Sequence, residues 1–471
     1  MGKIVQLLNG VFADRAFYQK MLLIAIPVTM QTFITALLNM VDTIMVGKLG
    51  ETEIAAVGIA NQYFFFFVMI LTGLSAGCSV FIAQFWGKRD LRNIKRILGI
   101  GLSSAVLFSL LFVILGFLFS KEIIALFNTD PLVTALGAEY LRVVLISYLF
   151  TAITFIYCSA LRSVEKAISP MVISACALLI NIFFNYMLIF GKFGAPALGV
   201  KGAAFATVIA RAVELVLLVV VIYSRNKELT ASINELLDFT FAYVKKAYRI
   251  ILPVILDDLI YGLGCVAYVA VYGRMGTQSV AATQICNTIN ELFLIVAFGL
   301  SGAAAVMVGN SIGAGEEQLS KNYTQRFSLL AVMTGMGIGL LLAVVSPVIL
   351  GYFNISGTVR HAAQIILYIM SATFFIRVLV IMFIVGILRG GGDAKQAFFI
   401  ETFTMWVIGV PLTILGAFVF HLPVYFVYAF SVVEEICKMF LCFIRLKTGK
   451  WLKNVTHHLT RDHCQSGKYI I

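Results

Sequence analysis

The run PVTMQTFITALLNMVDTIMVG (27–47) is apolar enough to cross a membrane, yet it carries a carboxylate near its C-terminal end. In hydrocarbon an ionisable side chain costs at least about 2.5 kcal/mol on insertion scales. That carboxylate ends a series of polar side chains that recur at spacings of four, four and three, and so share one helix face. The series is Gln31, Thr35, Asn39 and Asp42. We therefore expect this polar stripe to face protein or water.

The composition extends the membrane interpretation to the whole chain. Its 471 residues are 61% hydrophobic and 12% charged, with a mean hydropathy of +0.98, whereas soluble domains are about 25% charged. Apolar runs of about 20 residues or more recur between polar breaks. We predict an all-α polytopic membrane protein with twelve transmembrane helices in two pseudo-symmetric six-helix bundles. The predicted spans are 20–46, 54–84, 94–120, 131–157, 166–190, 200–224, 247–272, 279–311, 324–351, 360–388, 396–418 and 422–446.

The net charge of +12 comes from basic residues that cluster in loops between the spans. The positive-inside rule accounts for such clusters better than nucleic-acid binding does. The basic segments 87–96, 224–229, 244–249 and 445–453 place both termini in the cytoplasm of a cell (inner) membrane protein. No cleavable signal peptide is apparent, and none of the eight cysteines belongs to a CxxC pair that would indicate a disulfide framework or a zinc site.

The two halves of the chain resemble each other at an offset of 226 residues. Pro27 then aligns with Pro253, Gly50 with Gly276, and one residue later in phase Leu161–Arg162 aligns with Leu388–Arg389. Six spans in each half give both halves the same orientation, which is a parallel repeat. The predicted domains are an N-lobe (1–224, helices 1–6), a cytoplasmic linker (225–246), a C-lobe (247–446, helices 7–12) and a cytoplasmic tail (447–471).

Polar residues in the first half indicate a cation site. Asn181 and Asn185 are four residues apart in the fifth span, and Thr207 lies in the sixth. Asparagines often only join membrane helices through hydrogen bonds, but together with Asp42 they favour a proton or sodium site, because hard oxygen ligands suit both ions. If Na⁺ is the ion, its ligands are Asp42, Asn181 and Asn185.

The second half has a polar face of its own. Its acids, Asp257 and Asp258, are expected to lie nearer the cytoplasm than Asp42 does in the first half. With other polar residues of both halves this face forms the predicted substrate cavity: Gln31, Thr35, Asn39, Asp257, Asp258, Tyr261, Tyr268, Glu291 and Glu401. In two further groups, charged residues of opposite sign are three or four positions apart in the sequence. We interpret them as ion pairs on the helix surface, near the cytoplasmic ends of the spans. They are Arg211 with Glu214, and Glu434 or Glu435 with Lys438. Arg377 has no local partner and is expected to contact an acid across the cavity.

Several classes of protein are excluded by what the sequence lacks. No GxxxxGK[ST] motif occurs, and the five histidines lie at span edges or in the tail, which argues against an ATPase, a haem bundle, an HExxH protease or a Ser/His/Asp hydrolase. The sequence contains no filter-like loop of the kind that would indicate a channel. We therefore predict a carrier and not an enzyme, with no cofactor besides its coupling ion. Its expected partners are a small organic substrate and membrane lipid but no nucleic acid, and we expect it to be a monomer.

Several segments resemble the multidrug and toxic compound extrusion (MATE) family. They are 27–62, GTQSVAATQI with the later VGNSIGAG, GILRGGGDAK with its counterpart SALRSVEKA, and GAPALGVKGAAFAT. The resemblance implies two six-helix lobes and export of substrate against inward H⁺ or Na⁺ flow. It also implies a cation site at Asp42, Asn181, Asn185 and Thr207, although some members carry an aspartate where this chain has Asn185.

The chain departs from the family pattern in its second half. Members with a C-lobe cation site carry a glutamate at the position of Tyr261 and an aspartate near Val378. Neither acid is present, which places the predicted coupling site in the first half. Two alternatives remain open: a lipid-linked oligosaccharide flippase of the same superfamily, and a non-transporting membrane receptor or enzyme.

Overall fold

The computed structural model describes residues 14–128, 130–225, 227–353, 355–457 and 459. Within these ranges the chain forms helices and no strand, which confirms the predicted all-α class. The first thirteen residues of the predicted N-lobe and residues 460–471 of the predicted tail lie outside the described residues.

Fifteen helices follow one another along the described chain. They are α1 Arg15–Gly47, α2 Glu51–Gly87, α3 Leu91–Leu118, α4 Ser120–Ala125, α5 Pro131–Val144, α6 Ile146–Ser163, α7 Ile168–Phe190, α8 Val200–Arg225, α9 Ile233–Leu236, α10 Phe241–Arg274, α11 Thr277–Gly313, α12 Glu317–Gly351, α13 Gly357–Arg389, α14 Ala394–Val419 and α15 Val424–Lys447. Wider π-helical turns occur at Met382–Arg389 in α13 and at Thr404–Gly409 and Leu415–Val419 in α14.

Eleven of these helices are long and apolar enough to cross a membrane. The predicted fourth span is divided between α5 and α6, which follow each other with one residue between them. The predicted twelfth span corresponds to α15, which has 24 residues but carries Glu434, Glu435 and Lys438 in its middle. Eleven apolar spans are therefore found among the described residues, and a twelfth crossing by α15 stays a prediction.

Local sequence explains where several helices begin. Asp90 precedes α3 and accepts a hydrogen bond from the backbone N–H of Asn93 at 3.1 Å, and Asp130 does the same for Leu132 at 2.8 Å before α5. Gly50 and Gly276, which the repeat aligns, precede α2 and α11 with φ values of 154° and 113°. Both halves thus use glycine for the same positive-φ turn.

The described chain packs as two compact units. The N-terminal unit comprises residues 30–255, and the C-terminal unit comprises the part of the chain up to Thr29 together with residues from Leu256 onward. The boundaries lie inside α1 and α10, each just after a proline in the helix interior, Pro27 or Pro253. They do not lie in residues 225–246, where the sequence-based domain division is placed.

Ion pairs explain why the linker belongs to the N-terminal unit. Asp238 accepts hydrogen bonds from Arg96 at 2.8 Å and from Arg92 at 3.0 Å, both from α3. The hydrogen bonds from Arg96 and Arg92 hold the pKa of Asp238 below its usual value. Gly99 lies directly against the backbone of Leu236, so that any larger residue would collide with it. The linker is therefore fastened to the N-terminal part of α3.

Replacing Asp238 with Asn is predicted to loosen this linker. A partly exposed ion pair contributes up to about 1 kcal/mol, so limited proteolysis within residues 227–240 should become roughly two- to fivefold faster. Because the pKa of Asp238 is lowered, the wild-type linker should be held at neutral pH and loosen only as the pH falls through that lowered pKa. The exposed acid Glu122 offers the control Glu122→Gln, and equal cleavage rates in the two variants would contradict the role of Asp238.

Candidate functional site

The centre of the N-terminal unit contains the predicted cation site. The carboxylate of Asp42 accepts a hydrogen bond from Nδ2 of Asn185, which also donates to Oδ1 of Asn181 at 2.8 Å. Both asparagines are fully buried, whereas Asp42 is partly exposed. The spacing of four along α7 places both amides beside Asp42 on α1. Three of the four predicted cation-coupling residues therefore lie together.

Two polar atoms of this site have no hydrogen-bond partner although they are buried. They are Oδ1 of Asn185 and Nδ2 of Asn181. Buried amide atoms are normally paired, so unpaired atoms beside a carboxylate mark a place where hydrogen bonds can rearrange. No group of three His, Cys, Asp or Glu side chains suited to a metal occurs in the described part of the chain. A cation here would depend on one carboxylate and the amide oxygens.

The fourth predicted residue, Thr207, does not join this hydrogen-bonded group. Its hydroxyl donates to the backbone carbonyl of Ala203 within α8, at 3.0 Å. Threonine often satisfies its hydroxyl in this way inside a helix. Thr207 is partly exposed, and a role in the site stays a prediction.

The polar stripe of α1 divides into an exposed part and a paired part. Thr35 and Asn39 are exposed, and the Thr35 hydroxyl donates to the carbonyl of Gln31. The Gln31 side chain donates to Ser174 at 3.3 Å and accepts from Arg162 at 3.2 Å. Gln31 thus belongs to an internal hydrogen-bond network and not to an open surface.

That network corrects the prediction for Arg211 and Glu214. The two form the expected ion pair at 2.8 Å, but Glu214 is 3% exposed and also accepts a hydrogen bond from Ser174 at 3.0 Å. The pair therefore lies in the interior and not on the helix surface. The sequence rule for residues three apart found the partner but could not show what else packs against it.

In the C-terminal unit, one arginine pairs with both of the adjacent acids Asp257 and Asp258. Arg389 lies 2.8 Å from Asp257 and 2.7 Å from Asp258. Asp257 is 1% exposed, so it is a paired interior charge and not an open wall of a substrate cavity. The sequence analysis missed this role for Arg389, although the repeat held the signal: Arg162, its counterpart, contacts Gln31, the counterpart of Asp257.

A second buried ion group surrounds Lys438. Its ammonium lies 2.6 Å from Glu401 and 2.7 Å from Glu434, and Tyr268 donates its hydroxyl to Glu434. Lys438 is 1% exposed, Glu434 3% and Glu401 7%. The prediction of a surface pair at Glu434 and Lys438 was wrong, because Glu401 from another helix covers Lys438. Glu401 is likewise a paired charge and not an open cavity acid.

The remaining predicted cavity residues of this unit are more open. Tyr261 is 39% exposed, and Glu291 is also exposed. Arg377 lies within electrostatic reach of Tyr261, of Glu291 and of Glu435. Two acids thus lie within electrostatic reach of Arg377, and the predicted direct contact with an acid stays a prediction.

The described residues form eleven apolar spans and contain a carboxylate hydrogen bonded to a neutral amide, a combination typical of polytopic membrane transporters. The MatE family model matches residues 27–187 and again 253–415, so the chain belongs to the MATE family. The two matches begin 226 residues apart, as the repeat predicted. The chain is accordingly a transporter that exports compounds and is not an enzyme.

Relatives and solved structures agree over nearly the whole length. The chain is 24% identical over 446 residues to the "Probable multidrug resistance protein NorM" of Thermotoga maritima, covering 94% of this chain and 95% of the relative. It is 27% identical to the "Multidrug resistance protein MdtK" of Yersinia pseudotuberculosis, covering 83% and 86%. A crystal structure of a variant of the Vibrio cholerae MATE transporter VcmN matches with a TM-score of 0.85 at 17% identity, covering 93% and 98%.

Removing Arg389 is predicted to be strongly destabilising. Arg389→Met leaves Asp257 buried without a counter-charge, which typically costs about 3–5 kcal/mol. A denaturant titration of the purified protein in detergent measures the change in the free energy of unfolding. Arg360→Met, at an exposed arginine, should stay within about 0.5 kcal/mol of wild type. Adding Asp257→Asn to Arg389→Met should recover part of the loss, and an Arg389→Met chain as stable as the Arg360→Met control would refute the ion pair.

Proposed function

We propose that this protein is a secondary antiporter that exports amphipathic organic compounds, chiefly cations, in exchange for H⁺ or Na⁺. The observation that carries the proposal is the partly exposed carboxylate of Asp42, which accepts a hydrogen bond from the buried amide of Asn185 and not from a basic side chain. A carboxylate with neutral partners keeps its charge available for an exchangeable cation. The relatives named as multidrug resistance proteins support a drug-like substrate.

Cation loading would change the hydrogen bonds between α1 and α7. Ionised Asp42 accepts from Nδ2 of Asn185. When protonated, Asp42 becomes a donor and suits Oδ1 of Asn185, which has no partner in the present arrangement. A bound Na⁺ would likewise require the amide oxygens of Asn181 and Asn185 to face it. Either ion therefore replaces an N–H donor with an oxygen at Asp42.

This exchange of partners provides the coupling that antiport requires. A ligand shifts a conformational equilibrium only as far as it binds the two states differently. The loaded and empty forms of Asp42 prefer different orientations of the amides on α7, so cation binding favours one arrangement of α1 against α7. Substrate favours the other arrangement, in which Asp42 is empty.

Exposed polar and aromatic side chains in each unit suit an amphipathic cation. In the N-terminal unit these are Thr35 and Asn39, and in the C-terminal unit they are Tyr261 and Glu291. A tyrosine ring attracts organic cations through its π face, and an acid adds charge complementarity. Gln31, Asp257 and Glu401 make hydrogen bonds or ion pairs inside the units, so we assign them to the support of these surfaces.

The location follows from the same proposal. We place the protein in the cell (inner) membrane as a monomer. Both termini are assigned to the cytoplasm, because the basic segments between the predicted spans lie on the same side as the termini. No cofactor besides the coupling ion is needed for this mechanism.

Asp42→Asn is predicted to abolish coupled export. Allosteric coupling free energies of about 1–3 kcal/mol correspond to about 5- to 150-fold effects, and a loss of that size is expected in transport driven by the cation gradient. The measurement uses proteoliposomes loaded with ethidium, with a proton gradient or a sodium gradient imposed separately. The gradient that drives wild-type export identifies the coupling ion.

Glu51→Gln, at an exposed acid, is the matched control and should transport as wild type does. Export by Asp42→Asn at the wild-type rate would refute the assignment of the cation site. If the wild type moves no ethidium under either gradient, the substrate class is wrong, and a lipid-linked oligosaccharide becomes the better candidate.

A further inference from the structure

The pattern of buried residues extends the internal repeat to α8 and α15, the last predicted spans of the two halves. Five positions of α8 are buried at the same spacing as five positions of α15. They are Val200, Ala203, Ala210, Glu214 and Leu218 in α8, and Val424, Val427, Glu434, Lys438 and Cys442 in α15. Matching positions are 224 residues apart. Lys438 therefore takes the place of Glu214, Glu434 that of Ala210, and Glu435 that of Arg211.

The helices α7 and α14 align in the same way. Pro170, Ile173, Ser174 and Ala177 are buried in α7, as are the residues 227 positions later, so Glu401 takes the place of Ser174. The π-helical turn Thr404–Gly409 then adds one residue. At the end of this turn Gly409 takes the place of Asn181, and beyond it Thr413 takes that of Asn185, again with the same burial.

This register shows what the C-terminal unit holds where the N-terminal unit has its cation site. Tyr268 aligns with Asp42 at the offset of 226 and donates its hydroxyl to Glu434. Gly409 lies directly against the Tyr268 hydroxyl and the Glu434 carboxylate, so a side chain such as that of Asn181 would not fit there. Gly409 and Thr413 thus stand in place of the two amides of the cation site, and a phenol and a carboxylate occupy the space beside Gly409.

A fixed cation completes this second centre. The Lys438 ammonium lies 2.7 Å from Glu434 and 2.6 Å from Glu401, and the three side chains are nearly inaccessible to solvent. The neighbouring charges are those of Glu435 on α15, which faces Lys438 and Arg377, and of Asp257 on α10, which also acts on Glu401. Among the described residues, the hydrogen-bond partner of Asp42 is the amide of Asn185 and not an ammonium, and Arg211 on α8 is a basic side chain that acts on Asp42 electrostatically.

We propose that Lys438 is the resident cation of the C-terminal unit. Its tethered ammonium fills the place between Glu401 and Glu434, so that exchangeable H⁺ or Na⁺ binds only at Asp42 and one coupling ion is used in each cycle. A tethered group competes at a high effective concentration and is not diluted away. The part that concerns Asp42 rests on the proposed function, whereas the closure of the C-terminal unit by Lys438 stands on its own geometry.

Binding of Na⁺ alone and uptake of protons alone test this assignment in the purified full chain. Tm is measured in detergent with NaCl against choline chloride at equal ionic strength, and proton uptake is measured by titration. The proposal expects the cation response of the wild type to vanish in Asp42→Asn. Adding Lys438→Met to Asp42→Asn should create a new, saturable response to Na⁺ or H⁺, because two carboxylates lose their cation.

Two matched variants separate this effect from general damage. Lys438→Arg in the Asp42→Asn chain keeps a fixed cation and should create no response. Glu401→Gln added to Asp42→Asn with Lys438→Met should remove the new response. A folded Asp42→Asn, Lys438→Met chain that responds to neither ion would overturn the proposal.

A further comparison needs no change at Lys438 and decides the matter if Lys438→Met does not fold. A cation response that persists in Asp42→Asn and disappears on adding Glu434→Gln would show an exchangeable cation in the C-terminal unit, and would overturn the proposal. A response unchanged in Asp42→Asn and also unaffected by Glu434→Gln would instead refute Asp42 as the cation site. In that case, a gain in Lys438→Met would still support Lys438 as the resident cation.

Discussion

A charged side chain inside a membrane-spanning helix needs a partner from a neighbouring helix, and this constraint organises the interior of both units. Without a partner the charge costs several kcal/mol or is neutralised by a proton or cation. The C-terminal unit meets the constraint with basic side chains, since Arg389 pairs with Asp257 and Lys438 pairs with Glu401. The N-terminal unit meets it at Asp42 with the neutral amide of Asn185. Of these three acids, only Asp42 has a neutral amide and not a fixed cation as its hydrogen-bond partner.

One boundary between the two units lies inside α1, the helix that carries Asp42. Helix α1 belongs to both units, because its residues up to Thr29 pack in the C-terminal unit and those from Met30 onward pack in the N-terminal unit. Pro27 lies just before this boundary and lacks the N–H that would complete the helix there. The proposed change of hydrogen-bond partner at Asp42 would therefore act on a helix that lacks one backbone hydrogen bond near Pro27.

The sequence predicted features that depend on short spacings. The helical class and most of the spans follow from hydropathy, and the pair Asn181 and Asn185 follows from a spacing of four on one helix face. The grouping of this pair with Asp42, 143 residues before Asn185, was instead implied by the family resemblance. Long-range pairs could not be predicted in this way. Arg389 and Asp257 are 132 residues apart, and Lys438 and Glu401 are 37 apart. Local rules therefore assigned Lys438 to a surface pair and left Asp257 and Glu401 in an open cavity.

Infrared difference spectroscopy of the Asp42 carboxyl tests the account most directly. The purified protein is loaded with H⁺ or with Na⁺ and compared with its unloaded form, in wild type and in Asp42→Asn. The account predicts that one of the two ions changes a carboxyl band in the wild type, together with the amide bands of asparagine side chains, and that both changes are absent in Asp42→Asn. Carboxyl bands that change equally in the two proteins would contradict it, because the cation would then bind at another acid.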